Sequence, residues 1–375
     1  MTIRLKSVCI TILLLLAMAC GRLPYGDKGV YGKSIFGFFL LNGGQEGKRN
    51  SSLDFYDYDT GIYSKNLFAD RNSDVMEELG DGGIDMGIYG TRLYVLVNRS
   101  GIVEVIDVRT GWHIDQIPVP NCRSIIFKDQ YAYISSYGID TEEGPGSQLG
   151  CVAKIDTCSL EVINTCTVGY QPEEMAIVGE SLYVANSGID RAPDYDFTVS
   201  VIDLHIFVEV MKIEVGPNLH RMEVDPYGKI WVSSRGDWYD IPSMTYVIDS
   251  ENKCVCDVLD EHPCTDMAIC GDSLFVYSDG WNLFYQSYNY KYDIIDVKTH
   301  AVINTDFIAD GVEQQFSKPS GIAVNPQTRE IFITDAGDGY TPGKLYCFSK
   351  DGHLKWSTYT GYNPSRIVFT RIPLL

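Results

Sequence analysis

Seven short apolar runs along this chain are each introduced by a residue pair, and those pairs hold most of the groups able to do chemistry. They are Ile84-Asp85, Arg123-Ser124, Glu173-Glu174, His220-Arg221, Thr265-Asp266, Ser320-Gly321 and Ser365-Arg366. Presented together on one rim, such groups can hydrogen-bond a polar ligand. Equally, unlike charges on one rim attract and can pair with each other across it. Metal-assisted hydrolysis would need converging carboxylates. Asp85, Glu174 and Asp266 are the candidates, but they open different runs and stand beside the cations Arg221 and Arg366. There is no Ser/His/Asp arrangement and no phosphate-cradling glycine loop in a strand–helix context. The residues therefore favour binding over catalysis, and no enzyme activity is expected.

A second group of candidates lies in the long segments 42–52, 135–150, 186–197, 233–243, 278–291 and 335–343. These hold Tyr137, Tyr195, Trp238, Tyr239, Trp281, Phe284, Tyr285, Tyr288, Tyr290 and Tyr340. Aromatic side chains with a polar handle, gathered in loops, pack either on a ligand or on each other. Asn42, Asn98 and Asn186 stand at the same level, as ligand contacts or as loop caps. The residues taken forward as ligand-binding candidates are Asn98, Arg123, Tyr137, Glu174, Asn186, His220, Arg221, Trp238, Tyr239, Asp266, Trp281, Tyr285, Tyr340 and Arg366.

The elements that must position these groups follow from a repeat. The stretch Met175–Val215 holds four short runs rich in β-branched and aromatic residues, separated by turn residues; this is the pattern of a four-strand antiparallel meander. The phrase recurs, most visibly where the third run ends in Asp followed by a turn. The anchors are Asp57, Asp107, Asp156, Asp203, Asp249, Asp296 and Ser349, with gaps of 50, 49, 47, 46, 47 and 53 residues. Four strands per unit at that period predict an all-β, seven-bladed propeller over residues 35–375. An anchor Asp can hold its turn by accepting backbone N–H groups two residues on. Calcium binding at Asp57–Gly61 is excluded, because the Gly comes one place early and Phe68 stands where a bidentate Glu is needed.

The first unit, Phe36–Phe68, lacks an innermost strand. It supplies Gly37–Leu41, Leu53–Tyr56 and Ser64–Phe68, while the chain ends with an unpartnered innermost run, Asn363–Phe369. Pairing Ile367–Phe369 with Phe38–Leu41 would close the ring and remove both free edges. Short turns then fall on one face of the ring and the long aromatic loops on the other, which marks the second as the binding face.

Composition narrows the partners. The net charge is -20, so phosphate backbones should repel the chain and nucleic acid is not an expected partner. Residues 1–19 read as a secretory signal: Arg4 and Lys6, then an apolar core too short to span a bilayer, then Leu16-Ala17-Met18-Ala19-Cys20. Small residues followed by Cys resemble a lipobox, so Cys20 is the expected lipidation site and 20–34 a tether. Nine cysteines follow Cys20. An odd number cannot all pair, no Cys-x-x-Cys occurs, and no His lies at metal-ligand spacing from them. They read as small buried residues with one or two disulfides, and neither a metal site nor a resident cofactor is expected.

Two phrases carry a family resemblance. One is Leu41–Asp57 (LNGGQEGKRNSSLDFYD); the other is the repeat at 182–217, L-Y-V-A-N-S, V-S-V-I-D-L and V-G-x-x-P. Together they resemble the YncE-like propeller lipoproteins of Bacteroidetes, and within that group the BtuG-type surface cobalamin-binding propellers. The resemblance implies an outer-membrane lipoprotein displayed at the cell surface. It implies a corrinoid (vitamin B12 type) as a bound ligand rather than a cofactor, captured on the loop-rich face. It also implies a TonB-dependent outer-membrane transporter as partner. The alternative functions are a protein- or glycan-binding scaffold and a lactonase-type hydrolase.

Overall fold

The apolar runs pair as the repeat requires. In the computed structural model, described over residues 34–74, 78–138, 147–237, 241–278 and 290–375, seven four-stranded antiparallel sheets form. Almost all of the expected signal and tether, with Cys20, lies outside the described residues, as do Trp238, Tyr239, Trp281, Phe284, Tyr285 and Tyr288. Among the described residues no helix is long and apolar enough to cross a membrane.

Blades 2 to 7 are each a meander in chain order. Their innermost strands are Gly83–Tyr89, Cys122–Lys128, Pro172–Val178, Leu219–Val224, Asp266–Cys270 and Pro319–Val324. Second strands such as Arg92–Val97 and Ser181–Asn186 are buried along almost their whole length. Covered on both faces by neighbouring blades, they read as continuous apolar runs rather than alternating ones. The outermost strands, such as Val208–Glu214, are largely exposed.

Ring closure is as the sequence predicts. Pro364–Thr370 pairs antiparallel with Gly37–Asn42, setting Phe38 opposite Phe369, Phe39 opposite Val368 and Leu40 opposite Ile367. Blade 1 is thus built from both ends of the propeller, in the order closing strand, Gly37–Asn42, Ser52–Asp57, Tyr63–Ser64.

The outer strand expected over Ser64–Phe68 is cut short. It ends at Ser64, and helix α1 spans Leu67–Asn72. The buried Asp54 carboxylate accepts the Tyr63 hydroxyl at 2.7 Å and the Asn66 N–H at 2.9 Å. Asn66 takes a left-handed conformation (φ 48°) that turns the chain out of the sheet. Leu67 and Phe68 then bury themselves against Leu53 and Phe55, a gain that the exposed edge of a short outer strand does not offer.

The anchor residues act as turn clamps. Asp107 Oδ1 accepts the N–H groups of Arg109 (2.8 Å) and Thr110 (3.1 Å). Asp57, Asp156, Asp203, Asp249 and Asp296 make the same pair of bonds, and the Ser349 hydroxyl takes N–H groups of Asp351 and His353.

A second periodic feature lies on the outer strands. In blades 2 to 7 the pairing of third and fourth strands skips one residue: Ile114, Ile163, Val210, Cys256, Ile303 and Lys355 in turn. A bulge on an edge strand twists it away from a foreign strand and disfavours edge-to-edge association. All nine described cysteines are free thiols, five of them buried, so the expected disulfides are absent among the described residues.

Candidate functional site

Six of the seven innermost strands are entered through a shared device. The residue just before the strand is left-handed in five cases: Gly82 (φ 78°), Asn121 (50°), Gln171 (49°), Asn218 (54°) and Asn363 (51°). Four of the five are Gly or Asn, the types that tolerate this region best. Its carbonyl accepts the N–H of the residue following the paired second strand: Asn98 (2.8 Å), Tyr137 (3.2 Å), Ser187 (3.1 Å), Arg235 (3.0 Å) and Gly43 (2.8 Å) in turn. Lys318 does the same for Ala336 without a left-handed turn. In these six blades the residue after the second strand is thereby tied to the entry of the innermost strand.

The rim carboxylates staple neighbouring blades. Asp85 Oδ2 accepts the N–H of Ile125 at 3.0 Å, Glu174 Oε2 that of Met222 at 2.9 Å, and Asp266 Oδ2 that of Ile322 at 3.3 Å. Blades 2, 4 and 6 thus grip blades 3, 5 and 7. The remaining carboxylate oxygens meet arginines. Arg221 reaches Glu174 at 2.7 Å and Asp266 at 3.0 Å; Arg366, from the closing strand, reaches Asp85 at 3.1 Å and also Glu174. Burial raises the Asp266 carboxyl above its ordinary value against the pull of Arg221. Asp85, Glu174 and Asp266 are therefore committed to the ring.

Glu173 is the hub of a second network. Arg123 donates to it from Nε at 3.2 Å and Nη2 at 2.9 Å, Arg235 from Nη2 at 3.3 Å, and the Tyr137 hydroxyl at 2.6 Å. The Arg123 guanidinium also lies over the Tyr137 ring, 4.8 Å from its centroid. Burial alone would raise the Glu173 carboxyl, but Arg123 and Arg235 draw it down to about 2. Burial, followed by the charges of Arg235, Arg221 and Arg123, pushes His220 well below its usual value and keeps the imidazole neutral.

A cavity of about 400 Å³ opens at this mouth. Its lining comprises Gly43, Gly44, Gly82, Gly83, Ile84, Asn98, Arg99, Arg123, Glu173, Glu174, His220 and Arg221; Lys318, Ser320, Ala336 and Asn363–Ser365 complete it. Of the ligand-binding candidates, Asn98, Arg123, Glu174, His220 and Arg221 line this cavity, as do the rim residues Ile84, Glu173, Ser320 and Ser365. Tyr137, Asp266 and Arg366 bond the residues that do. Asn186 is apart: buried, it accepts the Gly169 N–H and donates to Thr198 and Ser200, so its amide serves blade 4. Tyr340 is 80% exposed and does not line the cavity. Trp238, Tyr239, Trp281 and Tyr285 lie outside the described residues.

Three charged participants, Arg99, Arg235 and Lys318, escaped sequence reasoning. Arg235 occupies the position directly after a second strand, the place held by Asn98 and Tyr137 in blades 2 and 3, and that periodic position was the available signal. Lys318 precedes Pro319 at the entry to blade 7 and carries no comparable mark.

Comparison with known proteins agrees with this architecture. A quinonprotein alcohol dehydrogenase-like protein from Bacteroides thetaiotaomicron superposes with a TM-score of 0.61 at 17% identity, over 89% of this chain and 78% of that one. The periplasmic gluconolactonase of Pseudomonas aeruginosa gives 0.62 at 12% identity, over 90% and 99%. A functionally unknown protein from Desulfotomaculum acetoxidans gives 0.62 at 11% identity, over 90% and 99%. At such identities the likeness is one of fold alone. No curated protein matches the sequence. Residues 36–370 match the family described as Domain of unknown function (DUF5074), and the chain belongs to that family of propellers.

Proposed function

We propose that this protein is a non-enzymatic capture protein that binds a polar small molecule at the mouth of its channel, on the loop-rich face. One observation carries the reading. The rim acids are already engaged by arginines and backbone N–H groups, while the cavity they frame keeps side chains with hydrogen-bonding capacity to spare. Carboxylates held in this way build a rigid wall; a hydrolase would need them turned toward substrate or metal. Asp85, Glu174 and Asp266, the acids a lactonase-type site would use, act as blade staples.

The specific form of the proposal comes from the resemblance of Leu41–Asp57 and 182–217 to the BtuG-type propellers. The ligand is a corrinoid, whose peripheral amides suit a polar rim, and it is passed to a TonB-dependent outer-membrane transporter. The chain is held at the outer membrane through Cys20. Calorimetry of the purified protein with cyanocobalamin tests the ligand: saturable binding at micromolar concentration or tighter is expected, and its absence removes the corrinoid. Metabolic labelling with a fatty-acid analogue tests the anchor, with label expected on the wild type and lost in Cys20→Ala.

A further inference from the structure

We propose that the mouth cavity contains an oxyanion subsite, in which Lys318, His220 and Ser365 hold a carboxylate or phosphate group of the ligand. This deepens the capture reading above and rests on it.

The two acids of the cavity are spent. Glu173 receives Arg123, Arg235 and Tyr137; Glu174 receives Arg221, Arg366 and the Met222 N–H. Among the groups left over, three can donate. Among the described residues the Lys318 ammonium has no acid partner, and its own hydrogen bond runs from the backbone N–H to Asp335. The His220 ring lines the same cavity, and among the described residues burial and the charges of Arg235, Arg221 and Arg123, not a hydrogen bond, act on it. Ser365 Oγ is shielded from solvent and unpartnered, an arrangement that costs free energy until something accepts its proton or donates to it.

Charge points the same way. The lining carries Arg99, Arg123, Arg221 and Lys318 against Glu173 and Glu174, in a chain whose net charge is -20. Arg99 spends part of its charge on Glu46 and Asp81, at 3.4 and 3.5 Å, so Lys318 is the lining cation with its charge unanswered. The three arginines around His220 repel a free metal ion. A carboxylate or phosphate meets the opposite situation: charged and neutral donors in a concave, partly dehydrated site, where such bonds are strongest. Blades 5 and 7 and the closing strand supply one donor each, so the subsite exists only in the closed ring.

The test uses the full propeller chain with sodium phosphate and sodium acetate as probes, at ionic strength held constant with chloride. Thermal melting and calorimetry should show saturable stabilisation by at least one oxyanion, and the more effective probe identifies phosphate or carboxylate as the preferred head group. Lys318→Met should weaken that binding about tenfold, without changing the melt in chloride. Lys350→Met, at an exposed outer turn, should bind as wild type does. Wild-type melts that are indifferent to both probes overturn the proposal, as does unchanged oxyanion binding in Lys318→Met. Cyanocobalamin binding with no oxyanion effect leaves capture standing and removes the subsite. Oxyanion binding without cyanocobalamin binding does the reverse to the corrinoid.

Discussion

Arg123 grips Glu173 through two guanidinium nitrogens, at 3.2 and 2.9 Å, across fifty residues of sequence and one blade boundary. The acid is 4% exposed and the base 17%, so the pair sits where Coulomb attraction is weakly screened and an unpaired member is costly. Glu173→Gln would leave Arg123 and Arg235 facing a neutral amide. It should destabilise the propeller by about 3 kcal/mol, read as a lower urea midpoint with an unchanged slope.

Acid should dismantle this network in a defined window. The Glu173 carboxyl sits at about 2 in the folded chain, below the ordinary value of about 4.3 in an unfolded one. A depressed acid contributes stability that is full above about pH 4.3 and lost as pH falls toward 2, about 3 kcal/mol in all. Urea midpoints should fall over that interval in the wild type, and the fall should be shallower in Glu173→Gln. Equal slopes would show that other groups govern the acid limb.

Glu223 behaves in the opposite sense. Burial first, then the charge of Asp266, lifts its carboxyl to about 7. A raised acid penalises folding once ionised: the cost is absent below about pH 4.3 and complete above about 7. Glu223→Gln should therefore raise the melting temperature at pH 8 by about 2–5 °C and leave it unchanged at pH 4. A gain of equal size at both values would point to packing rather than charge.

The closing strand should be indispensable. Removing residues 363–375 exposes the edge of Gly37–Asn42, opens the ring, and takes Arg366 away from Asp85 and Glu174. Loss of a cooperative melt by circular dichroism is expected; a truncated chain that melts like the parent would refute the closure.

Gly321 occupies a rim position where other blades carry a side chain, and the reason is steric. A Cβ there would lie 1.9 Å from the Ser365 carbonyl oxygen of the closing strand. Gly321→Ala should cost about 1–3 kcal/mol through forced backbone displacement, seen as a lower melting temperature. A neutral effect would mean that the closing strand yields at little cost.

Much of this architecture is a local property of the chain. Runs such as Leu182–Val184, the anchor Asp residues and the 46–53-residue period each depend on neighbours within one blade. The ring follows, including the pairing of Ile367 with Leu40, because an innermost run at one end had no other partner. The rim pairs were legible as chemistry for the same reason: they open every innermost strand.

Which rim groups would be consumed and which left free was decided only by tertiary structure. Arg366 and Asp85 are 281 positions apart, and nothing near either residue specifies the other. Their meeting depends on seven twisted sheets curving to a common axis. The same geometry recruits Arg235 to Glu173 and brings Lys318, His220 and Ser365 to one cavity. At Asn66 it replaces an expected strand with helix α1, because burial of Leu67 and Phe68 outweighs the local pattern. Period and propensity act over a few residues and can be read in order along the chain; charge pairing across the channel acts through space, and only the closed ring sets those distances.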